Sequence, residues 1–138
     1  MQKVREVMTE NPVVLPKDAS IVEAARLMRD HGIGDVIVVD GERAEGIVTD
    51  RDIVIRAVAE GTAPDEVRIQ DVLSGDLAAV SPDDPVERAI ALMREKAIRR
   101  VPVVESGKPV GVVSIGDLAV QRDADSALAD ISEEPPNR

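Results

Sequence analysis

The chain has 138 residues, a formal net charge of −10, one histidine, and no Cys, Phe, Trp or Tyr. This length corresponds to about one ordinary domain, and the lack of cysteine excludes disulfides and thiolate metal sites. The lack of aromatic rings removes the stacking surfaces of single-stranded nucleic-acid binders, and the negative charge opposes binding to DNA. No segment approaches the ~20 apolar residues of a membrane span, and the N-terminus has no apolar signal region. We therefore expect a soluble cytoplasmic protein without membrane contacts.

The first half of the chain predicts a strand, a helix, a hairpin and a second helix. Ser20 and Glu23 have the spacing of a capping box, and apolar residues then recur with a helical period. Gly32 suits the left-handed position that follows a helix. The predicted elements are a turn at 4–8, a strand at 13–15, a helix at 21–31, a hairpin of 36–39 with 44–48, and a helix from Thr49 to about 60.

The second half predicts the same order of elements. Residues 61–66 form a linker that is too short to separate two independent domains, and Pro85 marks a helix start. The predicted elements are a turn at 69–73, a strand near 77–80, a helix after 85, a hairpin of 101–104 with 110–113, and a helix after Ser114.

The two halves are copies of one sequence pattern. Met28 corresponds to Met93 and Asp52 to Asp117, an offset of 65 residues without a gap. A repeat of this length is one structural unit used twice, with a shared site expected near the symmetry axis. A copy of roughly 60 residues is marginally stable alone, so we expect the copies to pack on each other and share a core. The repeated segments are 21–29 and 86–94, 36–39 and 101–104, and 46–52 and 111–117.

These segments resemble the CBS motif. The resemblance lies in residues 46–53 of the first copy and in 98–104 with 111–118 of the second. Together the copies resemble a tandem CBS pair, or Bateman module, and the chain looks like a stand-alone module. The expected fold is α+β, with two pseudo-symmetric β-α-β-β-α motifs packed through their sheets and helices into one module. The expected divisions are a first motif with its leader at 1–62, a second motif at 63–124, and a disordered tail at 125–138.

The resemblance implies a regulatory, energy-sensing module that binds AMP, ADP or ATP in clefts between the two motifs. S-adenosylmethionine is a further candidate ligand, and Mg²⁺ would bind only with a nucleotide's help. The resemblance also implies a disk-shaped homodimer and a regulated partner protein that the sequence does not name. No nucleophile, base and orienting residue form a set, so we expect no enzyme, no catalytic residue and no metal site.

Two short motifs, Thr49-x-x-Asp52 and Ser114-x-x-Asp117, lie where a strand ends and a helix begins. Such a position presents unpaired backbone N–H groups suited to a phosphate, and the hydroxyl can donate to a phosphate oxygen. The carboxylate can accept hydrogen bonds from the vicinal 2′- and 3′-hydroxyls of ribose. Plain helix capping explains the same spacing, and the two roles can coexist.

The resemblance assigns residues from both copies to each cleft. Adenine would lie between aliphatic side chains, although ordinary core packing explains Ile33, Ile47, Ile98 and Val112 equally well. The first cleft would contain Ile47, Thr49, Asp52, Asp84, Ala89, Ile98 and Arg99, and the second would contain Ala19, Ala24, Ile33, Gly34, Val112, Ser114 and Asp117.

Arg99 and Arg100 make the two copies unequal, because the first copy has a glycine and Asp35 at these positions. Guanidinium groups match phosphate geometry, and Arg51 would add a third cation to the first cleft. We therefore predict that the cleft built on Asp52 is the stronger phosphate binder. Alternatively, one of the two adjacent arginines pairs with Asp35 across the pseudo-twofold axis.

A second hypothesis is a ligand-free dimerisation scaffold, whose clefts are empty or filled by side chains. Asp84 at a cleft mouth and Asp35 in place of an arginine both favour it. His31 lies near a helix end, where a solvated side chain is the expected state.

Overall fold

The structure is a computed structural model that describes residues 2–73 and 77–122, so the predicted tail at 125–138 lies outside it. Short 3-10 turns lie at Val4–Glu6 and Pro64–Glu66. The strands and helices in chain order are β1 (Thr9–Glu10), β2 (Val14–Pro16), α1 (Ile21–His31), β3 (Asp35–Asp40), β4 (Arg43–Thr49), α2 (Asp50–Ile53), α3 (Ile69–Val72), α4 (Val86–Lys96), β5 (Arg100–Glu105), β6 (Lys108–Ser114) and α5 (Ile115–Arg122).

Helix α1 begins and ends as its sequence predicts. The Ser20 hydroxyl accepts a hydrogen bond of 3.2 Å from the backbone N–H of Glu23, and Gly32 has a left-handed φ of 65°. Helix α4 has the same length of 11 residues and ends on the left-handed Ala97. The repeat in the sequence is therefore a repeat of helix geometry.

The helix that follows Thr49 differs from its prediction. It is α-helical only over α2 and continues as a π-helix at Val54–Val58, where the N–H of Ala59 donates to the carbonyl of Val54. A hydrogen bond from residue i+5 to residue i defines a π turn, which is wider than an α-helical turn. The apolar periodicity of the sequence does not predict this change.

The described chain folds as two compact units. The first-copy unit comprises residues 13–77, and the second-copy unit combines residues 1–12 with 78–138, each over its described part. The predicted divisions at 1–62 and 63–124 follow the sequence repeat, but the compact units divide the chain differently. The leader, described over residues 2–12, belongs to the second-copy unit, and the segment from residue 63 to 73 belongs to the first-copy unit.

The first-copy unit contains a sheet of order β2-β3-β4. Strands β2 and β3 are parallel, and β3 and β4 form an antiparallel hairpin whose register places Asp35 opposite Thr49. Its core joins apolar side chains from α1, β3 and residues 67–72. The sheet thus holds the end of β4, and with it Thr49, against a packed core.

The second-copy unit contains an antiparallel sheet of order β1-β6-β5, whose register places Arg100 opposite Ser114. The strand expected near 77–80 is a single parallel bridge between Val80 and Val103, because Val80 alone in this segment pairs with β5. The hairpin and the following helix match the prediction, and they position Ser114 as the first-copy unit positions its repeat partner.

The leader is hydrogen-bonded to the start of α4. The N–H of Val4 donates to the carbonyl of Asp84 at 2.9 Å, and the N–H of Val86 donates to the carbonyl of Gln2 at 3.0 Å. The Val4 side chain is fully buried in the core of the second-copy unit. Because the first N–H groups of a helix have no partner inside the helix, the leader supplies an acceptor that α4 needs.

The same arrangement recurs at the start of α1. The N–H of Ile69 donates to the carbonyl of Ala19 at 2.8 Å, and the N–H of Ile21 donates to the carbonyl of Val67 at 3.1 Å. Ile69 is fully buried, as is its repeat partner Val4. The first helix of each copy is therefore closed by the segment that precedes the other copy in the sequence.

An exposed ion pair adds to the attachment of the leader. Arg5 Nη2 lies 2.8 Å from Asp83 Oδ1, and this hydrogen bond lowers the pKa of the Asp83 carboxyl. Exposed ion pairs contribute little to stability, so the buried Val4 side chain and the backbone hydrogen bonds are the stronger attachments.

Gly111 allows β1 to approach β6. A Cβ at Gly111 would lie 2.8 Å from the Thr9 carbonyl oxygen and from Met8 Sδ, whereas a Cβ at its repeat partner Gly46 would lie 3.0 Å from the flexible end of Leu73. We predict that Gly111→Ala lowers the free energy of unfolding by about 1–3 kcal/mol, the usual cost of overpacking, and that Gly46→Ala lowers it less. Scanning calorimetry measures both, and equal melting temperatures for the two variants would contradict the prediction.

Candidate functional site

The first candidate is the turn from β4 into α2. The N–H of Thr49 donates to Asp52 Oδ2 at 2.9 Å, and the N–H of Asp52 donates to the Thr49 hydroxyl at 3.1 Å. Both side chains are half-buried. This reciprocal pair is a capping box, so the capping role of these two residues is confirmed.

The second candidate is the turn from β6 into α5. The N–H of Ser114 donates to Asp117 Oδ2 at 3.0 Å, and the N–H of Asp117 donates to the Ser114 hydroxyl at 3.0 Å. The Thr9 hydroxyl also donates to Asp117 Oδ2, at 3.5 Å. In both turns the capping bonds use Oδ2, and within the described ranges no hydrogen bond to Oδ1 of Asp52 or Asp117 is formed.

The backbone N–H groups of the two turns are not equally available. In the first turn the N–H of Asp50 donates to the Gly34 carbonyl at 2.9 Å, and the N–H of Arg51 donates to Asp50 Oδ1 at 2.8 Å. With the two capping bonds, the N–H groups of residues 49–52 all have acceptors. The prediction of unpaired N–H groups is therefore wrong for this turn, because the Asp50 carboxylate occupies one of them.

The second turn keeps one N–H group open. The N–H of Ile115 donates to the Arg99 carbonyl at 2.9 Å, matching the contact at its repeat partner Asp50. Ile115 has no carboxylate to cap the next residue, and the N–H of Gly116 makes no hydrogen bond to residues 2–73 or 77–122. The prediction of an available N–H group thus holds at Gly116.

The charged residues around the two turns differ. In the first-copy unit, Asp50 and Asp52 lie on the turn, and Asp35 lies opposite Thr49 in the hairpin, with only 8% of its surface exposed. In the second-copy unit, Arg100 occupies the position opposite the turn serine, and Arg99 precedes it. The first turn therefore carries two acids and Arg51, and the second carries Asp117 with Arg99 and Arg100 on the neighbouring strand.

The residues predicted for each cleft are divided between the two units. From the first cleft, Ile47, Thr49, Arg51 and Asp52 lie in the first-copy unit, and Asp84, Ala89, Ile98, Arg99 and Arg100 lie in the second-copy unit. From the second cleft, Ala19, Ala24, Ile33 and Gly34 lie in the first-copy unit, and Val112, Ser114 and Asp117 lie in the second-copy unit. The two clefts themselves stay a prediction.

Burial separates the predicted residues into two groups. Ala24 and Ala89 are fully buried members of the two cores, so they contribute to packing. Ile33, Ile47 and Ile98 are half-buried and keep part of their apolar surface accessible.

The carboxylate of Asp84 has a structural partner. Its Oδ2 accepts a hydrogen bond of 2.8 Å from the N–H of Ser81, which closes the turn before α4. The Asp84 carbonyl accepts the N–H of Val4, so the backbone of this residue contacts the leader while its side chain closes the turn.

Asp50 and Gly116 are the functional candidates that the sequence reasoning missed. The signal for Asp50 was present in the repeat, because its partner at the same offset is the apolar Ile115. An acid in one copy and an apolar residue in the other, next to a capping residue, indicates a difference in turn chemistry. The sequence could not show that the N–H of Gly116 is open, because this depends on the hydrogen bonds that the folded turn forms.

The described part of the chain offers neither a metal-ligand cluster nor a membrane-spanning helix. It contains no group of three or more His, Cys, Asp or Glu side chains placed to hold a metal ion. None of its helices is long and apolar enough to cross a membrane.

The family model for the CBS domain matches this chain twice, at residues 4–58 and 69–121. The chain belongs to the CBS domain family. It is a tandem CBS pair, and its two three-stranded sheets with flanking helices are the two domains of that pair. The CBS domain-containing protein YhcV of Bacillus subtilis is 36% identical over 138 residues, covering 97% of this chain and 98% of YhcV.

Two solved structures resemble this CBS pair. A protein with CBS domains from Burkholderia ambifaria, which is thought to act in signal transduction, has a TM-score of 0.79 and 31% identity, covering 91% of this chain and 96% of its own. A hexameric CBS-CP12 protein from bloom-forming cyanobacteria has a TM-score of 0.74 and 28% identity, covering 91% of this chain and 72% of its own. CBS pairs form a family of regulatory modules, and this chain is one of them.

Proposed function

We propose that this CBS pair is a cytoplasmic sensor that binds adenosine nucleotides (AMP, ADP or ATP) and signals their binding to a regulated protein by conformational change. S-adenosylmethionine is a further candidate, because it carries the same ribose and adenine. The observation that supports the proposal best is the pair of capped aspartates. Asp52 and Asp117 are each held in place through Oδ2, which leaves Oδ1 as an acceptor.

The capping bonds prepare each carboxylate for ribose. Because Asp52 and Asp117 each accept a backbone hydrogen bond within their own turn, little side-chain freedom is lost when a ligand binds. The vicinal hydroxyls of ribose donate to carboxylate oxygens, and such charge-assisted hydrogen bonds are stronger than neutral ones.

Adenine binding in this proposal uses aliphatic surface and backbone groups. The chain has no aromatic ring, and the half-buried Ile33, Ile47 and Ile98 offer apolar contacts. The phosphates are assigned to Arg99 and Arg100, whose guanidinium groups suit phosphate oxygens. Mg²⁺ would enter together with the phosphates, because it prefers oxygen ligands and keeps several of its waters.

The proposed role is regulation and not catalysis. A nucleotide can shift a conformational equilibrium only by the difference in its affinity for the two states. The regulated protein would distinguish those states.

A second candidate function is a ligand-free scaffold that acts by homodimerisation. Val54, Ile55 and Val58 are apolar and 56%, 45% and 58% exposed, and they follow α2 on one π-helical stretch. Beside them, α1 and Pro64 line a groove of about 360 Å³ in the first-copy unit. Contiguous exposed apolar surface marks interaction sites, and the hexameric CBS-CP12 neighbour supports assembly of such pairs. Dimerisation is also compatible with nucleotide sensing.

We predict that ATP, ADP or AMP binds the full chain and that Asp52→Asn and Asp117→Asn each weaken binding at their own turn by about tenfold or more. The substitution keeps an oxygen for the capping bond and removes the charge that ribose needs, and a hydrogen bond to a charged group contributes about 1.5–3 kcal/mol. Titration calorimetry measures affinity, and a ligand at 100 times its dissociation constant adds about 2.7 kcal/mol of stability in scanning calorimetry.

Asp71→Asn is the matched control for these variants. Asp71 Oδ2 accepts the N–H of Arg68 at 3.0 Å in a capping box at the start of α3, which belongs to neither turn. This variant should bind nucleotide as the unchanged chain does. If no adenosine ligand binds at millimolar concentration, the ligand-free scaffold becomes the better account.

We predict that the double variant Val54→Asp, Val58→Asp is monomeric and keeps its fold, since both side chains are exposed in the chain described here. The unchanged chain should be a dimer or larger assembly. Light scattering after size-exclusion chromatography measures the mass of each. The control Val14→Asp changes another exposed apolar residue of the same unit, and loss of assembly in that control instead would contradict the proposed surface.

A further inference from the structure

We infer that the groove of the first-copy unit binds the acidic segment, residues 123–134, of a second copy of this chain. The groove is bounded by α1, the π-helical stretch and Pro64, and it has a volume of about 360 Å³. This docking rests on the second candidate function, homodimerisation, and deepens it by naming the segment that each copy contributes.

The groove combines apolar walls with two arginines of α1, which are its only charged lining residues within the described chain. Arg26 makes no hydrogen bond or ion pair to residues 2–73 or 77–122, whereas Arg29 Nε lies 2.9 Å from Asp30 Oδ1. Arg26 is therefore the cation that a bound acid would pair with first. The apolar walls include Val22, Ala25, Ile53 and Val58.

The acidic segment lies outside the described residues, and its sequence fits this groove in pattern and in charge. Its apolar residues recur at i, i+3, i+4 and i+7, the spacing of the anchors by which an amphipathic helix binds in an apolar groove. It contains no Lys, Arg or His. The apolar residues are Ala124, Ala127, Leu128 and Ile131, and the acids are Asp123, Asp125, Asp130, Glu133 and Glu134.

The electrostatic attraction is confined to the α1 side of the groove. On the other side, Asp65 and Glu66 follow Pro64 and are exposed. The whole chain has a formal net charge of −10, so two copies repel each other overall. An acidic segment bound beside Arg26 places opposite charges together at the interface, and such complementarity determines which surfaces meet.

A second copy accounts for the apolar surface beside the groove as well as for the groove itself. Val54 and Ile55 are 56% and 45% exposed and do not line the groove, so one bound segment leaves them uncovered. A second copy covers this surface while its acidic segment fills the groove. In a two-fold symmetric dimer each copy gives and receives one segment, so every contact is made twice.

Disulfide trapping in the full chain tests the inference. The chain has no cysteine, so every disulfide joins introduced residues. Ala25→Cys with Ala127→Cys joins the groove to the apolar side of the acidic segment, and Ala25→Cys with Ala129→Cys is the matched control, because residue 129 lies outside the apolar spacing. In a buffer of reduced and oxidised glutathione, we expect the 25–127 disulfide to form between two chains at an effective concentration about tenfold above that of the 25–129 disulfide.

Peptide mass spectrometry identifies the joined residues, and non-reducing electrophoresis shows whether they belong to two chains. Adding Arg26→Glu to the 25–127 variant should lower the effective concentration by about tenfold, because it removes a charge-assisted contact. Arg43→Glu makes the same charge change at an exposed residue that does not line the groove, and it should leave the effective concentration unchanged.

Equal formation of the 25–127 and 25–129 disulfides would overturn the inference, and so would a 25–127 disulfide within one chain. If the unchanged chain is still a dimer by light scattering in either case, homodimerisation stands without this segment. If the unchanged chain is a monomer, both are overturned.

Discussion

Each compact unit of this CBS pair is completed by a segment that precedes the other copy in the sequence. The backbone of Val4 and Gln2 pairs with the start of α4, and the backbone of Ile69 and Val67 pairs with the start of α1. In both cases a fully buried side chain, Val4 or Ile69, accompanies the hydrogen bonds. The chain therefore passes from one unit to the other and back, and neither copy as defined by the sequence repeat contains its whole unit.

This construction determines where the candidate ligand groups lie. A hairpin in each unit ends on a hydroxyl residue, and a helix begins there with an aspartate on its first turn. The geometry of Thr49 and Asp52 is repeated by Ser114 and Asp117 to within a few tenths of an ångström in their capping bonds. The charged residues beside the two turns differ, because Asp35 lies opposite Thr49 and Arg100 lies opposite Ser114.

Much of this could be predicted from the sequence, because its signals are local. The apolar period of α1, the cap at Ser20, the glycine at its end and the two hairpins depend on residues that are close in the chain. Each of these signals occurs twice at the same offset, and the two occurrences support each other. The family and the fold followed from the same residues.

The remaining features depend on contacts that no local pattern carries. The leader is held in the second-copy unit by backbone hydrogen bonds between residues far apart in the sequence. One of them runs from the N–H of Val86 to the carbonyl of Gln2. At the first turn, spacing predicted open N–H groups, but the side chain of Asp50 turned back onto the N–H of Arg51. Spacing identifies which residues occupy a turn, whereas their hydrogen-bond partners depend on side-chain rotamers and tertiary packing.

Native-state hydrogen exchange of the full chain tests the crossed construction most directly. The account predicts that the amides of Val4 and Val86 exchange as slowly as the paired amides of β5, because they open only when the second-copy unit unfolds. It predicts the same for Ile69 and Ile21 relative to β3. Exchange of the Val4 and Val86 amides at nearly the rate of an unfolded peptide, while β5 stays protected, would contradict it.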